Sequence, residues 1–251
     1  MSRPPGGRLV AYAVALILLC GAAIVGVSHY GPSRRVYRPA GAVTAATVDR
    51  LLVDTPEEAY AHWRTTGGRG RQILFFAGEW EKIDPERFFD VPLERNYPLA
   101  LFTYGRALEE QRLDRRSFLY IATVTGIVRE MGIVLPETIY RHLAEQARAA
   151  KNARFLDGAV SLTYHGLPRT FMTLAHLRAP FEPPLVYVGA SFFRDHRPAE
   201  LLAALTASGV RTDCLILCRM AGDERVTPEE RERLTAFARL LGMAAGRGEP
   251  S

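Results

Sequence analysis

Residues 185–218 read LVYVGASFFRDHRPAELLAALTASGVRTDCLILC, and the alternation of types within this stretch decides the fold. LVYVGA (185–190) and CLILC (214–218) are short apolar runs with no polar alternation, which predicts two strands buried on both faces. Between them, residues 198–208 open on Pro198 and close on Gly209, the punctuation of a helix. A buried strand, a helix of about three turns and another buried strand form a right-handed crossover unit of a parallel sheet.

The same rhythm extends outward. Thr227-Pro228-Glu229-Glu230 announces a last helix carrying Leu234, Phe237, Leu240 and Leu241, with Thr as cap and Pro at the first helical position. Thr55-Pro56-Glu57-Glu58 repeats that signature before Ala59, Tyr60 and Trp63, and Glu58 is placed to reach back to the capping amide. Arg71 leads into QILFFAG, a strand stopped by Gly78. Residues 159–164 alternate as a strand and 168–177 read as a helix after it. Residues 137–150 show helical spacing at Ile139, Tyr140, Leu143 and Ala147. Residues 114–132 read as a helix, although the β-branched TVTGIV centre with Gly126 keeps a strand open. Asp84-Pro85-Glu86 opens a short helical turn, and 98–104 form a further strand candidate. The fold class expected is α/β: a mostly parallel sheet covered by helices on both faces, preceded by one N-terminal transmembrane helix.

That last element rests on LVAYAVALILLCGAAIVGV, residues 9–27, nineteen residues without a charge. As a helix it spans roughly 28 Å, close to the hydrocarbon thickness of about 30 Å. The competing reading is a cleaved leader ending at the small residues Gly26-Val27-Ser28; the apolar run is longer than the usual leader core and lacks a clean Ala-x-Ala site. The expected organisation is a basic tail (1–8), a signal anchor (9–27), a tether rich in Gly and Pro (28–50), a soluble α/β domain (51–245) and a frayed tail (246–251). Basic residues flank the run on both sides, so the positive-inside rule barely decides direction; the short N-terminal tail favours a domain outside the cytoplasm.

Charge agrees with membrane attachment. The first 48 residues hold five arginines and no acid, leaving 27 basic and 27 acidic residues in the rest of the chain. The net charge of +5 thus belongs to the membrane-flanking segment, where it suits anionic headgroups. A neutral body without a basic stripe argues against nucleic acid as a partner. Cys214 and Cys218, four residues apart on a strand, sit about 13 Å from each other and beyond disulfide reach. No spacing suggests a zinc site, a phosphate-cradling loop or a nucleophile elbow, so no cofactor or metal is expected. Gly67-Gly68-Arg69-Gly70 precedes a strand and reads as a turn.

In a parallel sheet, ligands meet the segments that follow strands. Three such segments carry polar chemistry: Glu79 beside Trp80 and Glu81, His165 with Arg169, and Ser191 to His196 with Arg194 and Asp195. An enzymatic site assembled from these would use His165 as general base, Arg169 at a helix start as anion clamp, and Glu79 or Asp195 to orient the imidazole. Each has a structural alternative as a turn, ion-pair or capping residue. The favoured expectation is a single-pass membrane protein presenting its domain to a protein partner or assembly. A membrane-surface hydrolase or transferase acting on a small molecule is the alternative.

Overall fold

The computed structural model describes residues 39–66, 70–79, 113–164 and 167–243. The anchor segment 9–27, the tail 1–8, the 84–86 turn, the 98–104 strand candidate, most of the 67–70 turn and the frayed tail lie outside the described residues. Among the described residues no helix is long and apolar enough to cross a membrane.

Ten strands are described: β1 (Gly41–Ala42), β2 (Asp49–Val53), β3 (Arg71–Phe76), β4 (Val128–Val134), β5 (Arg154–Leu156), β6 (Ala159–Tyr164), β7 (Leu167–Met172), β8 (Leu185–Gly189), β9 (Arg211–Thr212) and β10 (Cys214–Cys218). The helices are α1 (Pro56–Thr65), α2 (Phe118–Val124), α3 (Glu137–Ala147), α4 (Pro198–Ala207) and α5 (Pro228–Leu240), with 3-10 turns at Leu174–His176 and Ala190–Arg194. Eight strands form one sheet in the order β2-β10-β8-β3-β4-β7-β6-β5. All neighbours from β2 to β7 are parallel, and β6 and β5 extend the sheet as antiparallel strands.

Two apolar layers cover this sheet, and side-chain alternation along the strands sorts residues between them. Ile73, Phe75, Tyr187 and Ile216 pack with Ala59, Tyr60 and Trp63 of α1 and with Phe118, Ile121 and Ala122 of α2. Leu74, Phe76, Val188 and Leu217 pack on the other face with Phe192, Phe193, Leu201 and Leu205, and with Leu234 and Phe237 of α5. Phe192 and Phe193 are fully buried; each contributes about 2–3 kcal/mol by leaving water. The strands begin on a shared ion pair: Arg71 of β3 meets Asp213, just before β10, at 2.6 Å and donates to the Pro183 carbonyl at 3.0 Å.

Three local expectations need correction. Residues 41–50 are part of the folded unit, not of a tether. Gly41 pairs with Thr212, Val43 and Val48 are buried, and β2 is the edge partner of β10. The 114–132 stretch divides: α2 ends at Val124, Gly126 takes φ +75°, and β4 begins at Val128. A glycine in the left-handed region closes the helix without the penalty a Cβ would bring, and Val128, Ile133 and Val134 then fill the sheet. Residues 167–172 are a strand, not the start of a helix. β7 lies between β4 and β6, and its ladder with β4 starts at Arg169, so Pro168 falls where no amide is required on that side. Asp157 (φ 51°) and Gly158 (φ 77°) join β5 to β6, the primed-turn chemistry of a tight hairpin.

Candidate functional site

The parallel strands all end along one edge: Phe76 lies opposite Val134 and Val188, and Cys218 opposite Gly189 and Val53. From β3 the chain moves to β4 and β7, and α3 of that half packs its Ile139, Tyr140 and Leu143 on one face. From β8 it moves the opposite way to β10, and α4 packs its Leu201 and Leu205 on the other face. The connections diverge between β3 and β8, so a crevice opens beyond those two strand ends.

A cavity of about 100 Å³ occupies that position. Its apolar part comes from Phe75, Phe118, Leu119, Met131, Tyr187 and Met220, and its polar part from Glu79, Arg115, Arg116, Arg169, Asp223 and Arg225. Phe75 and Tyr187 are stacked at 5.0 Å between ring centroids, and Phe118 lies 5.3 Å from Tyr187. Glycines permit the close approach. A Cβ on Gly78 would lie 2.1 Å from the Ser191 carbonyl oxygen, and one on Gly189 would lie 3.1 Å from Met220 Sδ. Gly78 N–H donates to Ser191 Oγ at 3.2 Å, joining the segments after β3 and β8.

The rim is an ion-pair chain. Glu79 accepts from Arg194 Nη1 at 3.0 Å through Oε1 and from Arg225 Nη1 at 2.9 Å through Oε2. Arg225 also forks onto Asp223, with Nη2–Oδ2 at 3.0 Å and Nε–Oδ1 at 3.1 Å. Arg115 lies 3.6 Å from Asp223 Oδ1 and donates to the Gly222 carbonyl at 2.9 Å. The Arg225 guanidinium, through its hydrogen bonds, holds the Asp223 carboxyl below its ordinary range against the opposing effect of burial. Arg194 donates to Glu230 at 2.9 Å and to the Arg225 carbonyl at 2.9 Å; bonds to Glu230 and then Glu79 raise its pKa further, keeping it charged.

Helix α5 sets this rim. Glu230 accepts from the Thr227 amide with Oε2 while Oε1 receives Arg194. Arg231, one residue on, donates to the Arg219, Met220 and Asp223 carbonyls at 3.2, 3.3 and 2.9 Å, pinning the turn that carries Asp223 and Arg225.

Of the four catalytic candidates, Glu79 and Arg169 line one cavity. Arg169 does so from β7, buried, not from a helix start. Asp195 ends the 3-10 turn after β8, exposed and absent from the cavity lining. Its neighbour His196 stacks on Phe192 at 4.5 Å, and burial lowers the imidazole pKa against the pull of Asp195 and Glu200. His165 lies outside the described residues. Sequence reasoning passed over Arg115, Asp223 and Arg225. The only local signal was an Asp two residues before an Arg, a spacing too common to single out.

Ser191 is buried with its Oγ facing Gly78 N–H. Cys214 and Cys218 are buried thiols outside any disulfide. Burial pushes the Cys218 thiol up to about 11, outweighing hydrogen bonds from Tyr187 and the Met220 amide. Among the described residues no group of three His, Cys, Asp or Glu is placed to hold a metal. Comparison with protein-family models, with curated proteins and with solved structures returns no match.

Proposed function

We propose that this chain is a single-pass membrane protein whose α/β domain binds a small organic molecule in the cavity beyond β3 and β8. One observation carries the reading: an aromatic pocket with a charged rim stands at the divergence of the sheet connections, where such folds take their ligands. Anchoring rests on the uncharged run 9–27 and on the arginines flanking it. Ligand recognition suits the rim better than proton transfer does, because both oxygens of Glu79 are already engaged by guanidinium groups.

Photolabelling tests this. The full chain in lipid nanodiscs is irradiated with a neutral aryl trifluoromethyl-diazirine, and adducts in residues 113–243 are mapped. Adducts on Leu119, Tyr120, Met131 or Met220 are expected. Adducts confined to the exposed Phe155, Leu156 and Phe181 would contradict the assignment.

A hydrolase or transferase is the second reading, favoured by Glu79 and Arg169 sharing the cavity. It expects an aryl ester panel to be consumed by the chain and spared by Arg169→Gln. Binding alone expects the panel to be recovered unchanged with either chain.

A further inference from the structure

We infer that the ligand is a compact organic carboxylate, and that Glu79 is a resident anion in the seat its head group takes; this rests on the binding reading above. Two observations set the class. The cavity, about 100 Å³, is smaller than the roughly 150 Å³ apolar cavity that takes benzene, so the body it encloses is at most part of one ring or a short alkyl group. Phe75, Phe118 and Tyr187 offer that body ring faces and edges. Among the described residues the polar lining sets Arg115, Arg116, Arg169 and Arg225 beside Glu79 and Asp223, and guanidinium donors of this kind suit a carboxylate head.

The second observation is the clamp itself. Arg194 and Arg225 arrive from different segments and close on one carboxylate, each taking a separate oxygen at 3.0 and 2.9 Å. Paired donors on a carboxylate are the geometry that recognises such groups in general. Both guanidiniums are held from behind, Arg194 by Glu230 and Arg225 by Asp223, so the seat persists when its occupant leaves. Glu79 is that occupant, and its side chain is 34% exposed. It can swing into water when another carboxylate, attached to a body that fills the aromatic floor, takes its place. An ordinary structural ion pair would make Glu79 a support for binding. A resident anion makes it a competitor.

The test is competition against the diazirine label by three molecules of one shape: phenylacetate, phenylacetamide and phenethylamine, each titrated to millimolar concentration against the full chain in nanodiscs. Phenylacetate is expected to protect at about tenfold lower concentration than phenylacetamide, the size of one charge-assisted hydrogen bond. Phenethylamine is expected to protect least. Glu79→Gln is expected to strengthen protection by phenylacetate several-fold and more than protection by phenylacetamide, while Arg225→Gln weakens phenylacetate more than phenylacetamide. Equal protection by acid and amide would overturn the carboxylate class and leave the binding site standing. Weaker protection by phenylacetate in Glu79→Gln would overturn the resident-anion role. A label that never reaches the cavity would instead overturn the binding reading itself. The wild-type charge series needs no variant to fold.

Discussion

Two residues at the mouth of the cavity carry the sharpest consequences. Gly78 has no room for a methyl group, since its Cβ would meet the Ser191 carbonyl oxygen at 2.1 Å and the carbonyl carbon at 2.7 Å. Gly78→Ala must therefore push the segments after β3 and β8 apart. The expected loss is about 2 kcal/mol in denaturant unfolding, as for other overpacked sites, together with weaker cavity labelling. Asp223 is nearly fully buried, and its carboxyl is held below the ordinary range chiefly by Arg225. A depressed folded pKa means stabilisation that is complete above the unfolded value, about pH 4, and lost as pH falls through the folded value. Asp223→Asn is thus expected to cost about 2 kcal/mol at neutral pH, with the gap to wild type closing in acid. Denaturant midpoints measured from pH 7 down to pH 2 check it; a gap that stays constant into acid would contradict the ion-pair assignment.

The two Thr-Pro-Glu-Glu starts show how one sequence signature gives two different elements. In α5 the box is complete: Glu230 N–H donates to Thr227 Oγ1 at 3.2 Å and Thr227 N–H donates to Glu230 Oε2 at 3.0 Å. In α1 Thr55 makes no side-chain cap bond, and Glu58 accepts instead from the Asp54 amide at 3.1 Å. Thr227→Ala is expected to cost about 1 kcal/mol, and Thr55→Ala only a few tenths, read from thermal or denaturant midpoints. Equal losses would show that the cap bond is not what separates them. The buried strands at 185–189 and 214–218 were legible because a strand covered on both faces needs no alternation to betray it. β7 was not, because Pro168 after His165-Gly166 looks like a helix opening until the ladders to β4 and β6 are known. The Asp157-Gly158 hairpin was legible in principle and passed over. For the site, the rule that ligands sit after strands found Glu79 and the segment after β8. It could not find Asp223 and Arg225, whose position depends on the grip of Arg231 across the chain.

At the scale of the whole molecule, a basic, uncharged-cored N-terminal segment precedes an α/β unit that is folded from Gly41 onward. The full chain is expected to stay with membranes through alkaline carbonate extraction, and a chain beginning after residue 27 to be released. Release of the full-length chain would contradict the anchor, and a mature terminus near Ser28 would identify a cleaved leader. The cavity remains the central claim, and its methionines report on it directly. Met131 and Met220 line it, whereas Met243 packs against the opposite apolar layer. The decisive measurement is a carbon-13 methyl spectrum of methionine-labelled full chain in nanodiscs, titrated with phenylacetate. The account predicts ring-current shifts of the Met131 and Met220 methyl signals with a common saturation curve and an unmoved Met243. Saturating phenylacetate that leaves both Met131 and Met220 in place would contradict it.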